Sequence, residues 1–253
     1  MKKIVITGAL GYIGTELCKL YSGFSWKYEV IAIDNRFISE RVNELKRRKI
    51  KFIQADILDL DSINPYIQEA EYVYHLAGIT DVAYVKKDAD KEKDALTIRV
   101  AVEGTANVLA SMNDTATIIF PSTHVVFEGL KKQKENLDEE EKTSTFLAYS
   151  TSKVENERQI KKSGKNYAIF RLGSVYGFST DTMRINIMPN LFSKIASQNG
   201  KIKLFGGGVQ LKSLVPLMDV ARCFKFVEEN NDFQSGVYNL TKENLTVKDV
   251  ADI

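Results

Sequence analysis

Short apolar runs rich in β-branched residues alternate along the chain with longer stretches in which apolar residues recur at helical spacing. The runs that are typical of strands lie at 3–7, 29–33, 51–55, 72–76, 117–120 and 168–172. Helices are predicted near 12–22, 39–48 and 95–112, and from about 147. Parallel strands need crossover connections, and right-handed crossovers place helices on both faces of the sheet. The alternation therefore predicts an α/β fold with a doubly wound parallel sheet.

The pattern becomes irregular after about residue 174, where we expect a small C-terminal lobe. We assign residues 1–173 to the first domain, which 209–235 rejoin, and residues 174–208 and 236–253 to the lobe. The last predicted helix keeps an apolar face formed by Val247, Val250 and Ala251, which needs further packing. The lobe is therefore predicted to be incomplete.

The composition excludes several broad classes of protein. The chain has 253 residues, of which 44% are hydrophobic and 27% charged, and it is long enough to bury a sizeable core. The formal net charge of +2 gives no global field that would attract nucleic acid or a membrane surface. Cys18 and Cys223 lack the spacing of a metal site or a redox pair, and no apolar run could span a membrane. We expect a cytoplasmic protein without a metal, a nucleic-acid partner or a membrane span.

Three glycines follow the first predicted strand. Gly8, Gly11 and Gly14 stand three residues apart at the turn from strand to helix. In such a turn one glycine permits the tight bend, one lets the backbone approach a pyrophosphate, and one lets the helix pack on the strand. N–H groups at the start of the helix would hold the diphosphate. The fold class is therefore predicted as a Rossmann-type α/β sheet with a small, incomplete C-terminal substrate lobe.

Carboxylates follow the next two strands. Asp34 lies 20 residues after Gly14, where a carboxylate can accept both hydroxyls of an adenosine ribose and would repel a 2′-phosphate. This position favours NAD over NADP as the cofactor, although the guanidinium of Arg36 in the same loop could accept that phosphate. Asp56, after the third strand, is a candidate adenine contact, with helix capping as the alternative.

Tyr149 and Lys153 stand four residues apart, which places both on one face of a predicted helix. A positive neighbour stabilises a phenolate, so we expect a lowered tyrosine pKa and proton exchange with a substrate hydroxyl. The spacing alone is weak evidence, because Tyr238 and Lys242 share it. Only the first pair opens a helix and follows Thr123, which ends a predicted parallel strand, where ligands bind in such sheets.

These residues together resemble the extended short-chain dehydrogenase/reductase family, and within it the NAD-dependent nucleotide-sugar epimerase/dehydratase branch. The resemblance covers nearly the whole chain. It rests on the segments 7–14, 34–35, 56–57, 75–78, 122–123, 149–157, 171–177 and 219–221.

The resemblance implies roles for individual residues. It implies that Tyr149 is the catalytic acid/base, that Lys153 bonds the nicotinamide ribose, and that Thr123 orients the reacting hydroxyl. The implied cofactor contacts are Gly8, Gly11, Tyr12, Ile13, Gly14, Asp34, Asn35, Asp56, Ile57, Leu76, Ala77, Gly78, Tyr149 and Lys153. The candidate substrate contacts are Thr80, His124, Ser174 and Lys212.

The sequence also departs from the family's pattern. Family dehydratases carry an Asp-Glu pair after the catalytic threonine, whereas His124 follows Thr123 here, so an epimerase is favoured over a dehydratase. His124 could be a substitute acid, with a structural histidine as the alternative. Ser174 and Lys212 stand where the family has Asn and Arg, and lysine keeps the charge without the bidentate fork. Glu128 stands where the family has glycine.

Three functions stay open at this point. The leading hypothesis is an NAD-dependent nucleotide-sugar epimerase that acts at C4 and forms a homodimer through the helices near 95–112 and 147–163. An NAD(P)H-dependent 4-ketosugar reductase or a nucleotide-sugar dehydratase is the enzymatic alternative. A non-catalytic dinucleotide-binding protein is the third.

Overall fold

A computed structural model shows a seven-stranded sheet flanked by helices, beside a three-stranded sheet. The structure describes residues 1–80, 90–132, 134–180 and 182–253. Their strands are β1 (Lys2–Thr7), β2 (Tyr28–Asp34), β3 (Lys51–Gln54), β4 (Tyr72–His75), β5 (Thr117–Thr123), β6 (Asn166–Leu172), β7 (Ser174–Tyr176), β8 (Leu211–Pro216), β9 (Gly236–Leu240) and β10 (Glu243–Thr246). Their α-helices are α1 (Tyr12–Ser22), α2 (Ser39–Arg47), α3 (Leu60–Ile67), α4 (Lys91–Ser111), α5 (Ala148–Lys162), α6 (Met188–Ser197), α7 (Leu217–Glu229) and α8 (Val247–Asp252).

The large sheet has the strand order β3-β2-β1-β4-β5-β6-β9, and all its neighbouring strands run parallel. The order reverses between β1 and β4, because the chain moves outward to β3 before it returns to β4. Ligands of open α/β sheets bind at the carboxyl ends of the strands at such a reversal. The predicted doubly wound parallel sheet is confirmed, and it directs attention to the ends of β1 and β4.

Two apolar cores cover the two faces of this sheet. Because side chains alternate along a strand, Ile4 and Ile6 join the core that contains α1 and α7. Val5, between them, joins the core that contains Ile63 of α3 and Val108 of α4. A strand buried on both faces is apolar throughout. This is why β1 shows a continuous run rather than alternation.

The second sheet has the order β10-β8-β7. Two strands join a different sheet from the one that the predicted division of the chain implies. Strand β8 lies within 209–235 but pairs with β7 and β10. Strand β9 lies within 236–253 but pairs with β6 at the edge of the large sheet. Val237 and Tyr238 of β9 pack against opposite cores. Burial on both faces of the large sheet decides where β9 lies. The five residues of β9 do not by themselves indicate which sheet the strand joins.

Helix α3 has no counterpart among the predicted elements. It contains Pro65, which removes a backbone donor and weakens the helical pattern in the sequence. Its start is stabilised by Asp59, whose carboxylate accepts the N–H of Ser62.

A chain of buried hydrogen bonds links the ends of β1 and β4 to α4 and α5. The imidazole of His75 bonds the hydroxyl of Thr7 through Nδ1 and that of Thr105 through Nε2, both at 2.9 Å. The Thr7 hydroxyl also accepts the N–H of Ala77 at 3.2 Å. The side-chain amide of Asn156 on α5 donates to Thr105 at 2.7 Å. The chain therefore ties the end of β1 to helix α5.

His75 is neutral in the folded protein. Burial, together with the charge of Lys153, lowers its pKa to about 3. A histidine in the unfolded chain has a pKa of about 6.5, so between these values the unfolded chain binds a proton that the folded chain does not. The stability that depends on neutral His75 is therefore full above about pH 6.5 and is lost as the pH falls below it.

We predict that His75 makes the free energy of unfolding fall by about 2 kcal/mol between pH 7 and pH 5. In His75→Gln this pH dependence flattens, because the amide can retain a hydrogen bond but does not titrate. Urea unfolding followed by circular dichroism at both pH values measures the difference. His124→Gln is the comparison variant: because burial also lowers the pKa of His124, this replacement removes the contribution of His124 and leaves that of His75 in place. An unchanged pH dependence in His75→Gln would refute the assignment.

Candidate active site

The turn after β1 has glycine where a side chain would not fit. Gly8 has a φ of +68°, and a Cβ on it would lie 2.6 Å from the backbone nitrogen of Ala77. A Cβ on Gly14 would lie 2.5 Å from the carbonyl oxygen of Gly8. The backbone of the turn therefore contacts the segment after β4 directly, and α1 begins close to the end of β1.

The start of α1 fits a diphosphate. Its N-cap is Gly11, which has no side chain to accept the N–H groups of Tyr12, Ile13 and Gly14 in the first turn. These N–H groups and the positive end of the helix dipole together form a site for anions. A dinucleotide's diphosphate therefore fits the turn without any basic side chain.

The carboxylate of Asp34 lies beside this turn, at the end of β2. Only 3% of its side chain is exposed. Its Oδ2 accepts the N–H of Leu10 at 3.0 Å, and its Oδ1 accepts the N–H of Arg36 at 3.1 Å. The guanidinium of Arg36 adds two bonds, from Nε to Oδ1 at 3.0 Å and from Nη2 to Oδ2 at 3.3 Å. Asp34 thus lies where the spacing predicts, but it already has a counter-ion.

Three further predicted cofactor contacts lie at the ends of β2 and β3. The amide of Asn35 donates to Asp56 at 3.2 Å, and Asp56 also accepts the N–H of Leu58 at 2.9 Å. Ile57 is buried against α4, where a Cβ on Gly104 would lie 2.4 Å from its Cδ1. Gly104 therefore lets α4 approach this edge of the sheet.

The predicted contacts after β4 line the same edge. The N–H of Leu76 donates to the carbonyl of Thr7 at 3.2 Å, so the chain leaves β4 alongside β1. Gly78 is exposed, and among the described residues, apart from Gly78 and its two chain neighbours, no atom lies within 4 Å of the position that a Cβ would take. Thr80 is exposed, and its carbonyl accepts the guanidinium of Arg184 at 3.3 Å.

The structure brings the three predicted catalytic residues together. Thr123 is the last residue of β5, and its side chain hydrogen-bonds that of Tyr149. Lys153 follows one turn later on α5, with Nζ 5.9 Å from the centroid of the Tyr149 ring. The same Nζ donates to the carbonyl of Pro121 at 2.9 Å and lies 4.4 Å from the centroid of Phe120.

Burial is the largest influence on the pKa values of Tyr149 and Lys153. It raises the pKa of Tyr149, while the charge of Arg184 and the hydrogen bond with Thr123 act in the opposite direction. Burial also lowers the pKa of Lys153 to about 8, against the charge of Glu157. The Tyr-Lys spacing predicts a lowered pKa for Tyr149. That prediction is wrong in sign for this structure, because desolvation of the phenol outweighs the positive charge near it.

A buried ion pair fixes α5 against the sheet. The carboxylate of Glu157 accepts Nε and Nη2 of Arg171 at 3.1 and 2.9 Å, and the hydroxyl of Ser122 at 2.5 Å. Glu157 and Arg171 are both buried. Removal of one partner of such a pair costs about 3–5 kcal/mol, because the other charge stays buried and unpaired. The pair therefore holds the helix of Tyr149 beside the strand of Thr123.

A second carboxylate caps the same helix. Glu128 Oε1 accepts the N–H groups of Phe146 and Leu147 at 3.1 and 2.8 Å, and also the hydroxyl of Ser150. A negative charge at a helix N-terminus is favourable. The sequence shows only that Glu128 departs from the family's glycine. Its role as a cap depends on residues 18 and 19 positions later.

The remaining candidate substrate contacts lie between β5 and the small sheet. His124 Nδ1 donates to the carbonyl of Leu172 at 2.9 Å, and burial lowers the pKa of its imidazole. Ser174 begins β7, and Lys212 is exposed on β8, where its charge acts on His124. The hydrogen bond of His124 is typical of a structural histidine.

Two residues at the site belong to no recognisable sequence motif. The charge of Arg184 acts on the hydroxyls of both Tyr149 and Tyr12. Asn190 is buried, donates to the Tyr12 hydroxyl at 3.4 Å and accepts the N–H of Gly177 at 2.9 Å. Both follow residue 174, where the pattern is irregular, and both bond residues far away in the chain. Local spacing therefore gave no signal of them.

Among the residues described, no three His, Cys, Asp or Glu side chains are arranged to hold a metal ion. In that same part of the chain, no helix is long and apolar enough to cross a membrane.

The chain is similar in sequence to enzymes that act on nucleotide sugars. The NAD dependent epimerase/dehydratase family matches residues 4–241. A putative UDP-glucose 4-epimerase of Methanocaldococcus jannaschii is 29% identical over 229 residues, which cover 87% of this chain and 71% of that protein. A UDP-N-acetyl-alpha-D-glucosaminuronate decarboxylase of Bacillus cytotoxicus is 26% identical over 244 residues, which cover 90% and 68%.

Solved structures share the fold. The UDP-glucuronic acid 4-epimerase of Bacillus cereus, in complex with UDP-glucuronic acid and NAD, has a TM-score of 0.80 at 24% identity over 98% of this chain and 80% of that one. The UDP-glucose 4-epimerase of Thermus thermophilus, in complex with NAD, has a TM-score of 0.78 at 20% identity over 99% and 81%. The predicted family is thereby confirmed: the chain belongs to the NAD dependent epimerase/dehydratase family of extended short-chain dehydrogenases/reductases, and it is an enzyme whose cofactor is NAD.

Proposed function

We propose that the protein is an NAD-dependent nucleotide-sugar epimerase that acts at C4 of the sugar. The observation that carries this proposal is the position of Thr123, Tyr149 and Lys153 at the same edge of the sheet as the glycine turn. Relatives named as UDP-glucose 4-epimerases support the substrate class. A cofactor held at the turn and a sugar held at Tyr149 would be neighbours.

The chain's own residues bind the cofactor and move a proton. NAD, when bound, supplies hydride chemistry at a sugar carbon. The turn at Gly8–Gly14 holds the diphosphate, and Asp34 accepts hydroxyls of the adenosine ribose. Tyr149 takes the proton from the sugar hydroxyl and returns it after the ketone has turned. Thr123 orients that hydroxyl, and both reactants are held in place by the fold.

The electrostatics of the cluster support an acid/base role for Tyr149. Burial raises the pKa of Tyr149, which opposes the phenolate that has to accept the sugar proton. The hydrogen bond with Thr123 and the charge of Arg184 favour the phenolate. Lys153 has a pKa of about 8 and adds a cation at neutral pH. The positive charges and the hydrogen bond stabilise the phenolate, which acts as base, and the phenol that results then acts as acid.

The residues after Thr123 favour epimerisation over dehydration. His124 and Val125 follow, so the Asp-Glu pair that dehydratases of the family carry at this place is missing. Dehydration needs a group that eliminates water across the C5–C6 bond. His124 donates to a backbone carbonyl instead, as expected for a structural residue. Epimerisation requires only the Tyr149 proton and the hydride.

We also propose that the enzyme is a homodimer. Leu96 and Ile98 on α4 are exposed although they are large and apolar, and α4 packs against α5. Residues two apart do not share a helix face, so Leu96 and Ile98 offer apolar contacts to a second copy on two sides of α4. Helix α5 carries Tyr149, so a partner at α4 and α5 would contact the helix of the active site from outside.

Replacement of Tyr149 tests the proposed reaction. We expect Tyr149→Phe to lower kcat roughly 10²- to 10⁴-fold, because the proton carrier is lost, while NAD binding changes little. Tyr238→Phe is the matched control, since Tyr238 has the same spacing to a lysine but its hydroxyl bonds the carbonyl of Gln234 on the surface. Turnover of UDP-sugars by purified protein is measured by chromatography. Wild-type turnover in Tyr149→Phe would exclude the mechanism.

The fate of the cofactor separates an epimerase from the alternatives. We expect UDP-glucose and UDP-galactose to interconvert with no net change in reduced nicotinamide, because the hydride returns to the sugar. Absorbance of reduced nicotinamide recorded during turnover measures this balance. Stoichiometric consumption of NADH or NADPH with a 4-ketosugar would instead identify a reductase. NAD binding without turnover of any nucleotide sugar would favour the non-catalytic alternative.

The oligomeric state tests the interface. We expect sedimentation equilibrium to give twice the chain mass for the wild type, because the apolar side chains on α4 are covered by a second copy. The variant with both Leu96→Asp and Ile98→Asp is expected to be monomeric. Arg47→Asp on α2, also an exposed helix position, is the control. A wild-type monomer would contradict the proposal.

A further inference from the structure

We propose that Tyr12 and Asn190 are positioning residues that link the glycine turn after β1 to Arg184. Through this link, a diphosphate bound at the start of α1 restrains the stretch of chain that carries Arg184 at the active site. The inference rests on the proposed function in one respect, since Arg184 matters for catalysis only if Tyr149 exchanges a proton. The link itself can be measured without any reaction.

The link runs through Gly177, the residue that follows β7. The hydroxyl of Tyr12 donates to the carbonyl of Gly177. The side chain of Asn190 on α6 accepts the N–H of Gly177 at 2.9 Å and donates to the carbonyl of Arg184 at 2.9 Å. The same amide donates to the Tyr12 hydroxyl at 3.4 Å. The oxygen and both N–H groups of this amide are thus used, which fixes the orientation of Asn190.

Burial makes these hydrogen bonds act together. Asn190 is only 3% exposed, and Tyr12 only 9%. A buried polar group has to keep its partners, because water cannot replace them. Movement of the Tyr12 ring therefore moves Gly177 and Asn190 with it.

A second polar contact joins the same face of α1 to the chain after β7. Glu16 lies one turn after Tyr12, and its carboxylate accepts the hydroxyl of Ser179 at 3.3 Å. The hydroxyls of Ser179 and Thr182 lie 2.6 Å apart, and both residues are buried. Phe178, between the two contacts, is 77% exposed. Polar contacts, and not burial of this ring, therefore hold the chain on α1 here.

A diphosphate at the turn acts on the near end of the link. Tyr12 is the first residue of α1, and its N–H is one of those that have no partner within the helix. A bound diphosphate supplies that partner and restrains the first turn, which otherwise frays. The hydroxyl of Tyr12 is restrained with it, and so are the bonds to Gly177 and Asn190. The two ends are therefore coupled by ordering and need no large displacement.

At the far end of the link, Arg184 contacts residues of the active site. Its guanidinium donates to the carbonyl of Thr80, which lies beyond the end of β4, at 3.3 Å. Its charge favours the phenolate of Tyr149. Restraint of the Arg184 backbone keeps this cation in place while the cofactor is bound. Occupation of the turn is thereby associated with a stabilised phenolate.

Hydrogen–deuterium exchange of the full chain, followed by mass spectrometry, measures the link. The probe is 5′-ADP, which supplies a diphosphate at the turn but no nicotinamide that reaches further residues. In the wild type we expect 5′-ADP to slow exchange in peptides covering 8–16 and, roughly fivefold, in peptides covering 183–191. In Tyr12→Phe we expect the protection of 8–16 to remain and that of 183–191 to be lost, because the ring has no hydroxyl for Gly177.

A second variant and a control complete the test. Asn190→Asp still accepts the N–H of Gly177 but cannot donate to the carbonyl of Arg184, so we expect the same loss at 183–191. It carries the test if Tyr12→Phe melts early, and the double variant is expected to lose no more protection than either single variant. Tyr176→Phe is the matched control, because its hydroxyl lies next to Gly177 in the chain but bonds Glu243 at 3.0 Å.

The outcomes separate this proposal from the proposed function. Protection of 183–191 that persists in either folded variant, or that is absent in the wild type, would overturn the link. Absence of protection at 8–16 in the wild type would overturn it as well, because the diphosphate would then not bind at the turn. Loss confined to 183–191 in both variants supports it. A wild type that does not epimerise contradicts only the proposed function, since the exchange experiment involves neither a sugar nor turnover.

Discussion

The hydrogen bonds of His75 set the distance between the two halves of the active site. A buried imidazole is stable only when it is neutral and both ring nitrogens are paired, here with Thr7 and Thr105. Thr7 directly precedes the glycine turn. Asn156, which extends the chain of hydrogen bonds, lies two turns after Tyr149 on α5. A change in this chain would move the cofactor turn and the catalytic helix relative to each other.

Helix α5 is fixed at several points for the same reason. Glu128 bonds the N–H groups that precede its first turn, and Glu157 pairs with Arg171 of β6. These contacts keep Tyr149 beside Thr123. The phenol is partly buried there, and its pKa is raised. A rigid support is what proton transfer needs, because the hydroxyl of the substrate must lie within hydrogen-bond reach of Tyr149. The position of Tyr149 therefore depends on the residues that fix α5.

At the cofactor end, the charge of a buried carboxylate is balanced by a half-exposed partner. Asp34 is buried at the end of β2 and needs compensation, which the half-exposed Arg36 provides through two hydrogen bonds of its guanidinium. The two residues stand two positions apart, and only their contacts show that they act as a pair.

The sequence by itself determined the parallel sheet, the glycine turn and the positions of Asp34, Thr123, Tyr149 and Lys153. Each of these depends on local properties: periodicity of apolar residues, the positive φ of Gly8, or helical spacing. Only the tertiary structure decided that β9 joins the large sheet, that Glu128 caps α5, and that the pKa of Tyr149 rises. Those outcomes depend on burial and on contacts between distant parts of the chain, which no local pattern contains.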